Sequence, residues 1–134
     1  MLKKSSLTFI LIFLIVGSLS GETDISNLSA YPKDNGIVLE WDSGIELELE
    51  GYEIQRSTSG GTFIVLTTIK ALGSNSSYTY FDESVFSKST VRTYSYRLKI
   101  LDSDGSFSYS KLVSVTPTLS AARETWGSIK ALFR

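Results

Sequence analysis

The sequence predicts an all-β protein, an antiparallel sandwich of seven strands, and three observations predict it. The first is alternation. Ile37, Leu39 and Trp41 share one face of GIVLEW, Tyr52 and Ile54 share one face of GYEIQR, and Tyr94, Tyr96, Leu98 and Ile100 share one face of TYSYRLKIL. Such a two-residue period belongs to strands with one face buried and one face wet. The second is punctuation, because clusters of Gly, Asn, Asp and Ser separate the alternating runs. The third is that no helical period of useful length occurs before Thr118.

Strands are predicted at about residues 25–31, 36–42, 51–57, 63–70, 77–82, 92–102 and 107–116. Asp34-Asn35-Gly36 opens the second with residues that tolerate left-handed backbone. Gly60-Gly61 suits a hairpin between the third and fourth. Asp102-Ser103-Asp104-Gly105 divides the last two in the same manner. Trp41, inward on an early strand, is the largest expected core residue, with Tyr52, Ile54, Tyr94 and Tyr96 beside it. Between the second and third strands lie Asp42, Glu46, Glu48 and Glu50. There Leu49 is expected to tuck under the sandwich while the glutamates face water.

The two ends of the chain read differently. Lys3 and Lys4 precede an apolar run from Leu7 to Val16, followed by the small residues Gly17, Ser18, Ser20 and Gly21. That order is a secretory signal peptide, with cleavage expected after Ser20 and only transient membrane contact. The run is shorter than the roughly 20 residues of a membrane helix; retention as an N-terminal anchor is the competing reading. No Cys follows it, so lipid attachment at a lipobox-type cysteine is excluded. The expected organisation is a leader at 1–20, one domain at 22–117 and a tail at 118–134. In the tail Leu119, Ala122, Trp126, Ile129 and Phe133 recur at helical spacing, with Leu132 beside them and Ser120 as a candidate N-cap. Arg123, Lys130 and Arg134 outnumber Glu124. So short a segment is not a stable helix alone in water. Either it packs on its own domain or it serves as a partner-binding or sorting signal.

Composition removes several functions. The 134 residues include no Cys and no His. The core must therefore hold without disulfides in a compartment that permits them. Ser-His and Cys-His nucleophile pairs are impossible and the usual zinc ligands are missing. Removing Lys3 and Lys4 from 13 basic residues leaves 11 against 14 acidic, a net charge of −3. A mildly acidic chain has no electrostatic footprint for nucleic acid.

Several short motifs occur in a specific order. Leu28 and Ala30 form an L-x-A pattern, Trp41 sits on the second strand, Gly51-Tyr52-x-Ile54-x-Arg56 on the third, and Tyr78-x-Tyr80-x-Asp82 ahead of the sixth. In this order they resemble a fibronectin type III domain of the small bacterial secreted kind, over most of residues 22–117. The resemblance implies a seven-stranded immunoglobulin-like sandwich. It also implies that Tyr94 is the tyrosine corner, whose hydroxyl returns to nearby backbone. Tyr96→Phe is then the cheaper change if that hydroxyl reaches solvent. No Arg-Gly-Asp tripeptide is present, so integrin-type adhesion has no support.

Other candidate chemistry is weak. Asp102-x-Asp104-Gly105 starts like a calcium loop, but position 113, where the pattern needs Glu, is Val. A hairpin turn is the better reading. Asn27-Leu28-Ser29 and Asn75-Ser76-Ser77 match the glycosylation acceptor pattern, which chance supplies often. Tyr31, Tyr78 and Tyr109 could form a sugar-stacking platform. The expected function is a non-enzymatic, secreted binding or structural module of the periplasm or cell surface, without cofactor. Its expected partner is a protein, a second copy through the tail being one candidate. A carbohydrate accessory module using exposed tyrosines is the alternative.

Overall fold

The computed structural model describes residues 23–87 and 92–117. The predicted leader and the tail residues Arg123, Trp126, Ile129, Lys130, Leu132, Phe133 and Arg134 lie outside them. Two antiparallel sheets form a sandwich. The first orders β1 (Ile25–Lys33), β2 (Gly36–Ser43) and β5 (Ser77–Asp82) side by side. The second orders β4 (Ile64–Lys70), β3 (Leu49–Thr58) and β6 (Tyr94–Asp102), with β7 (Phe107–Tyr109) and β8 (Val113–Val115) along the free side of β6. A 3-10 turn, Glu83–Ser87, follows β5.

The described residues thus form eight strand segments where seven strands are expected, because the last one is broken. Lys99 pairs with Tyr109 but Tyr96 pairs with Val113, so Arg97 and Leu98 face the longer Ser110–Leu112 stretch. Ser110 makes the break tolerable. Its N–H donates to the Leu98 carbonyl at 2.9 Å, and its Oγ accepts from the Leu98 N–H at 2.8 Å. A side chain replaces the missing ladder partner, as buried backbone requires. A bulge in β1 similarly skips a residue between Ser26 and Ser29, with Asn27 at a φ of 54°.

Local chemistry explains the turns. Asp34 takes a φ of 51° in the β1–β2 turn. Ser59 and Gly60 have φ of 50° and 75°, and the Gly61 N–H closes that turn on the Thr58 carbonyl. Both central residues left-handed is the twist that hairpins favour. Asp102 accepts from the Gly105 N–H at 3.0 Å, the hairpin reading of that segment.

The core lies between the sheets. Ile37, Leu39 and Trp41 from β2 meet Tyr52 and Ile54 from β3 and Tyr94, Tyr96, Leu98 and Ile100 from β6, all buried. Trp41 stacks on Tyr78 with ring centroids 5.1 Å apart, and Tyr52 packs edge-on against both. Strand pairing sets two poles. One gathers the 44–48 loop, the 71–76 loop and the 102–106 turn; the opposite pole gathers the β1–β2 and β3–β4 connections and the end of β8.

Candidate functional site

The acidic loop departs from expectation. Glu46 is buried, while Leu47 beside it is 76 % exposed. Glu46 Oε1 accepts from the hydroxyls of Tyr52 and Tyr78 at 2.7 and 2.6 Å, and Oε2 accepts from the Gly73 N–H at 2.8 Å. Two tyrosines that enter the core need acceptors for their hydroxyls, and this carboxylate supplies both. Their need outweighs the strand-like alternation that would have left Glu46 facing water. Burial pushes the Glu46 carboxyl up, but the bonds from Tyr78, Tyr52 and Gly73 outweigh it and hold the pKa below the ordinary value. Burial and the Glu46 charge together push the Tyr52 phenol far up.

A second buried carboxylate closes the opposite pole. Asp82 ends β5 and is 2 % exposed. It accepts from Arg56 at 2.6 Å, from the Tyr96 hydroxyl at 2.8 Å and from the Ser84 hydroxyl at 2.7 Å. Burial raises its pKa, but Ser84, Arg56 and Tyr96 outweigh that and lower it overall. Tyr96 therefore does not reach solvent, contrary to the condition under which its hydroxyl is cheap to remove. Tyr94 sends its hydroxyl to the Val85 carbonyl at 3.0 Å.

Both carboxylates bridge the sheets. Glu46 takes one hydroxyl from β3 and one from β5; Asp82, on β5, takes Arg56 from β3 and Tyr96 from β6. Two polar ties at opposite ends stand in a molecule without disulfides. Each carboxylate is held by donors of its own chain. Among the described residues no cluster of three His, Cys, Asp or Glu is placed to hold a metal ion.

The tyrosine platform does not assemble. Tyr78 is in the core, Tyr31 lies on β1 of one sheet, and Tyr109 lies on β7 of the other. Tyr31 instead donates to Glu40 at 2.9 Å.

A different surface is organised. On the outer face of the β4-β3-β6-β7 sheet, the Arg97 guanidinium sits between the rings of Phe63 and Tyr109, 3.9 and 4.1 Å from their centroids. Lys99 places its Nζ 4.2 Å from the Phe107 centroid, and Phe107 meets Tyr109 edge-on. Gln55 fixes Arg97 by accepting from its Nε at 2.8 Å, and donates onward to Glu53 at 2.6 Å. Phe107 and Tyr109 remain 53 % and 46 % exposed. Of this row only Tyr109 stands out in the sequence. Its signal was the wet half of the same alternation: Arg97 and Lys99 sit between the inward Tyr96, Leu98 and Ile100, and the next strand supplies Phe107 and Tyr109.

No family model and no curated protein matches the chain. A solved structure does: the pectate lyase Pel3 of Pectobacterium carotovorum, at a TM-score of 0.52 and 22 % identity. The likeness covers 71 % of this chain and 27 % of the lyase chain, so this chain spans about a quarter of that enzyme's length. At that identity it concerns the fold alone.

Proposed function

We propose that the chain is a secreted, non-enzymatic binding module with the fibronectin type III form of the immunoglobulin-like sandwich. It acts in the periplasm or at the cell surface after its leader is removed. The outer face of the β4-β3-β6-β7 sheet touches a protein partner. The observation that carries this reading is the half-exposed row of Phe63, Arg97, Tyr109, Lys99 and Phe107. Aromatic residues and Arg dominate contact centres; the aromatics bury large area with few rotors, and here Gln55 already holds the rotor-rich Arg97 in place. The fold assignment is supported by the strand order, by the buried Trp41 and by the Tyr94 hydroxyl on a backbone carbonyl.

A carbohydrate reading keeps one observation in its favour: Phe107 and Tyr109 are exposed side by side, on a fold shared with a protein named for acting on pectate. Sugars stack on ring faces, however, and here cations occupy faces of Phe63, Tyr109 and Phe107. That favours a protein.

The test is site-specific photocrosslinking in the producing cell. A crosslinker at Phe107 is expected to trap a defined protein that Arg97→Glu abolishes, whereas one at the exposed Thr79 of the other sheet is expected to trap none. Glycan binding lost in Tyr109→Ala, with no protein trapped at position 107, would replace this reading with the carbohydrate one.

A further inference from the structure

We infer that the acidic pole is a docking site for the tail, residues 118–134, of a second copy of this chain, giving a head-to-tail contact independent of the outer-face surface. Burial of Glu46 has a consequence at this pole. It turns Ile45 and Leu47 outward, 63 % and 76 % exposed. The neighbouring loop adds Leu72, 68 % exposed. The two loops are tied by the bonds from Gly73 N–H to Glu46, from Glu46 N–H to Ser74 and from Asn75 N–H to the Gly44 carbonyl. The apolar side chains therefore project from a fixed base, which lowers the ordering cost of a contact.

Charge selects the occupant. Asp24, Glu48, Glu50, Asp102 and Asp104 lie at this pole, against Lys70 and, in the pocket it shares with Asp24, Lys111 among the described residues. The 102–106 turn is held there by Ser103, whose N–H and hydroxyl both donate to the Glu48 carbonyl. The tail offers the complement: Trp126, Ile129 and Phe133 at helical spacing, with Arg123, Lys130 and Arg134. Chain direction separates the tail from this pole on its own molecule. It delivers the tail to the opposite pole, where Val115 pairs with Tyr94. The ten residues of β3 put the poles about 33 Å apart. Seventeen residues would bridge that distance only in extended form, which gives up the helical spacing of Trp126, Ile129 and Phe133. A contact between two different patches builds open chains rather than closed dimers.

Sedimentation of the exported, processed chain tests this, with two full-length variants: Leu47→Glu/Leu72→Glu at the pole and Trp126→Ser/Phe133→Ser in the tail. Leu47 and Leu72 lie outside the buried core. The unaltered chain is expected to form a ladder of oligomers at low salt, with affinity falling roughly tenfold or more at high salt as screening removes the charge term. Each variant alone is expected to be monomeric. Mixed, they are expected to stop at a one-to-one dimer, since one keeps its tail and the other its pole. A monomeric parent at high concentration and low salt would overturn the inference, including the case of a tail folded on its own molecule. So would a pole variant that still associates, or a mixture that stays monomeric.

Discussion

Tyr94 and Tyr96 lie two residues apart on β6 and end on different acceptors, which ranks them. Tyr94→Phe removes a bond to a neutral carbonyl and is expected to cost about 0.5–1.5 kcal/mol. Tyr96→Phe removes a donor from a buried carboxylate and is expected to cost about 1.5–3 kcal/mol. Urea midpoints of the two variants check the order; equal midpoints would mean that Arg56 and Ser84 alone satisfy Asp82. Trp41→Ala, emptying the stack with Tyr78, is expected to cost about 3–5 kcal/mol by the same measurement. At this scale the sequence showed which residues face inward but not what their polar tips meet. Alternation reports the direction of a side chain. The partner of a hydroxyl comes from another strand or from a loop, and Glu46 sits in a loop whose alternation places it facing water.

Elements were legible where period and turn chemistry agree. β2, β3, β5 and β6 carry both signals, and their placement follows the expected runs to within a few residues. The break between β7 and β8 was hidden because Ser110 compensates for it with one hydroxyl, which no pattern announces. The β3–β4 pairing depends on a missing side chain. A Cβ on Gly51 would press into the carbonyl oxygen of Ile69, a backbone atom that cannot swing aside. Gly51→Ala is therefore expected to destabilise by about 1–3 kcal/mol through strain. It is also expected to raise hydrogen exchange in β4 more than in β2. Uniform exchange across both sheets would show that the strain spreads instead of opening this edge.

Across the whole molecule, the two buried carboxylates bind opposite ends of the sandwich and join its sheets. Both have pKa values lowered below the ordinary carboxylate range, because hydrogen bonds and, for Asp82, the Arg56 charge outweigh burial. The folded state thus holds fewer protons than the unfolded chain near that range, so stability rises with pH there. The contribution is complete above the unfolded values, about 4, and is lost as pH falls through the lower folded values. Glu46→Gln and Asp82→Asn are each expected to be less stable at neutral pH. Asp82→Asn is expected to lose more, because it removes the charge partner of Arg56, which keeps only its bond to the Ser84 hydroxyl. Each variant is expected to show a shallower acid limb than the parent, since one titrating site has gone. The two sites share no donor and lie at opposite poles, so the double variant is expected to lose nearly the sum of the single losses. Denaturant unfolding of the four proteins from neutral pH into the acid range measures all of this. Acid limbs of equal steepness would show that surface carboxylates, rather than the two inter-sheet ties, carry the pH dependence.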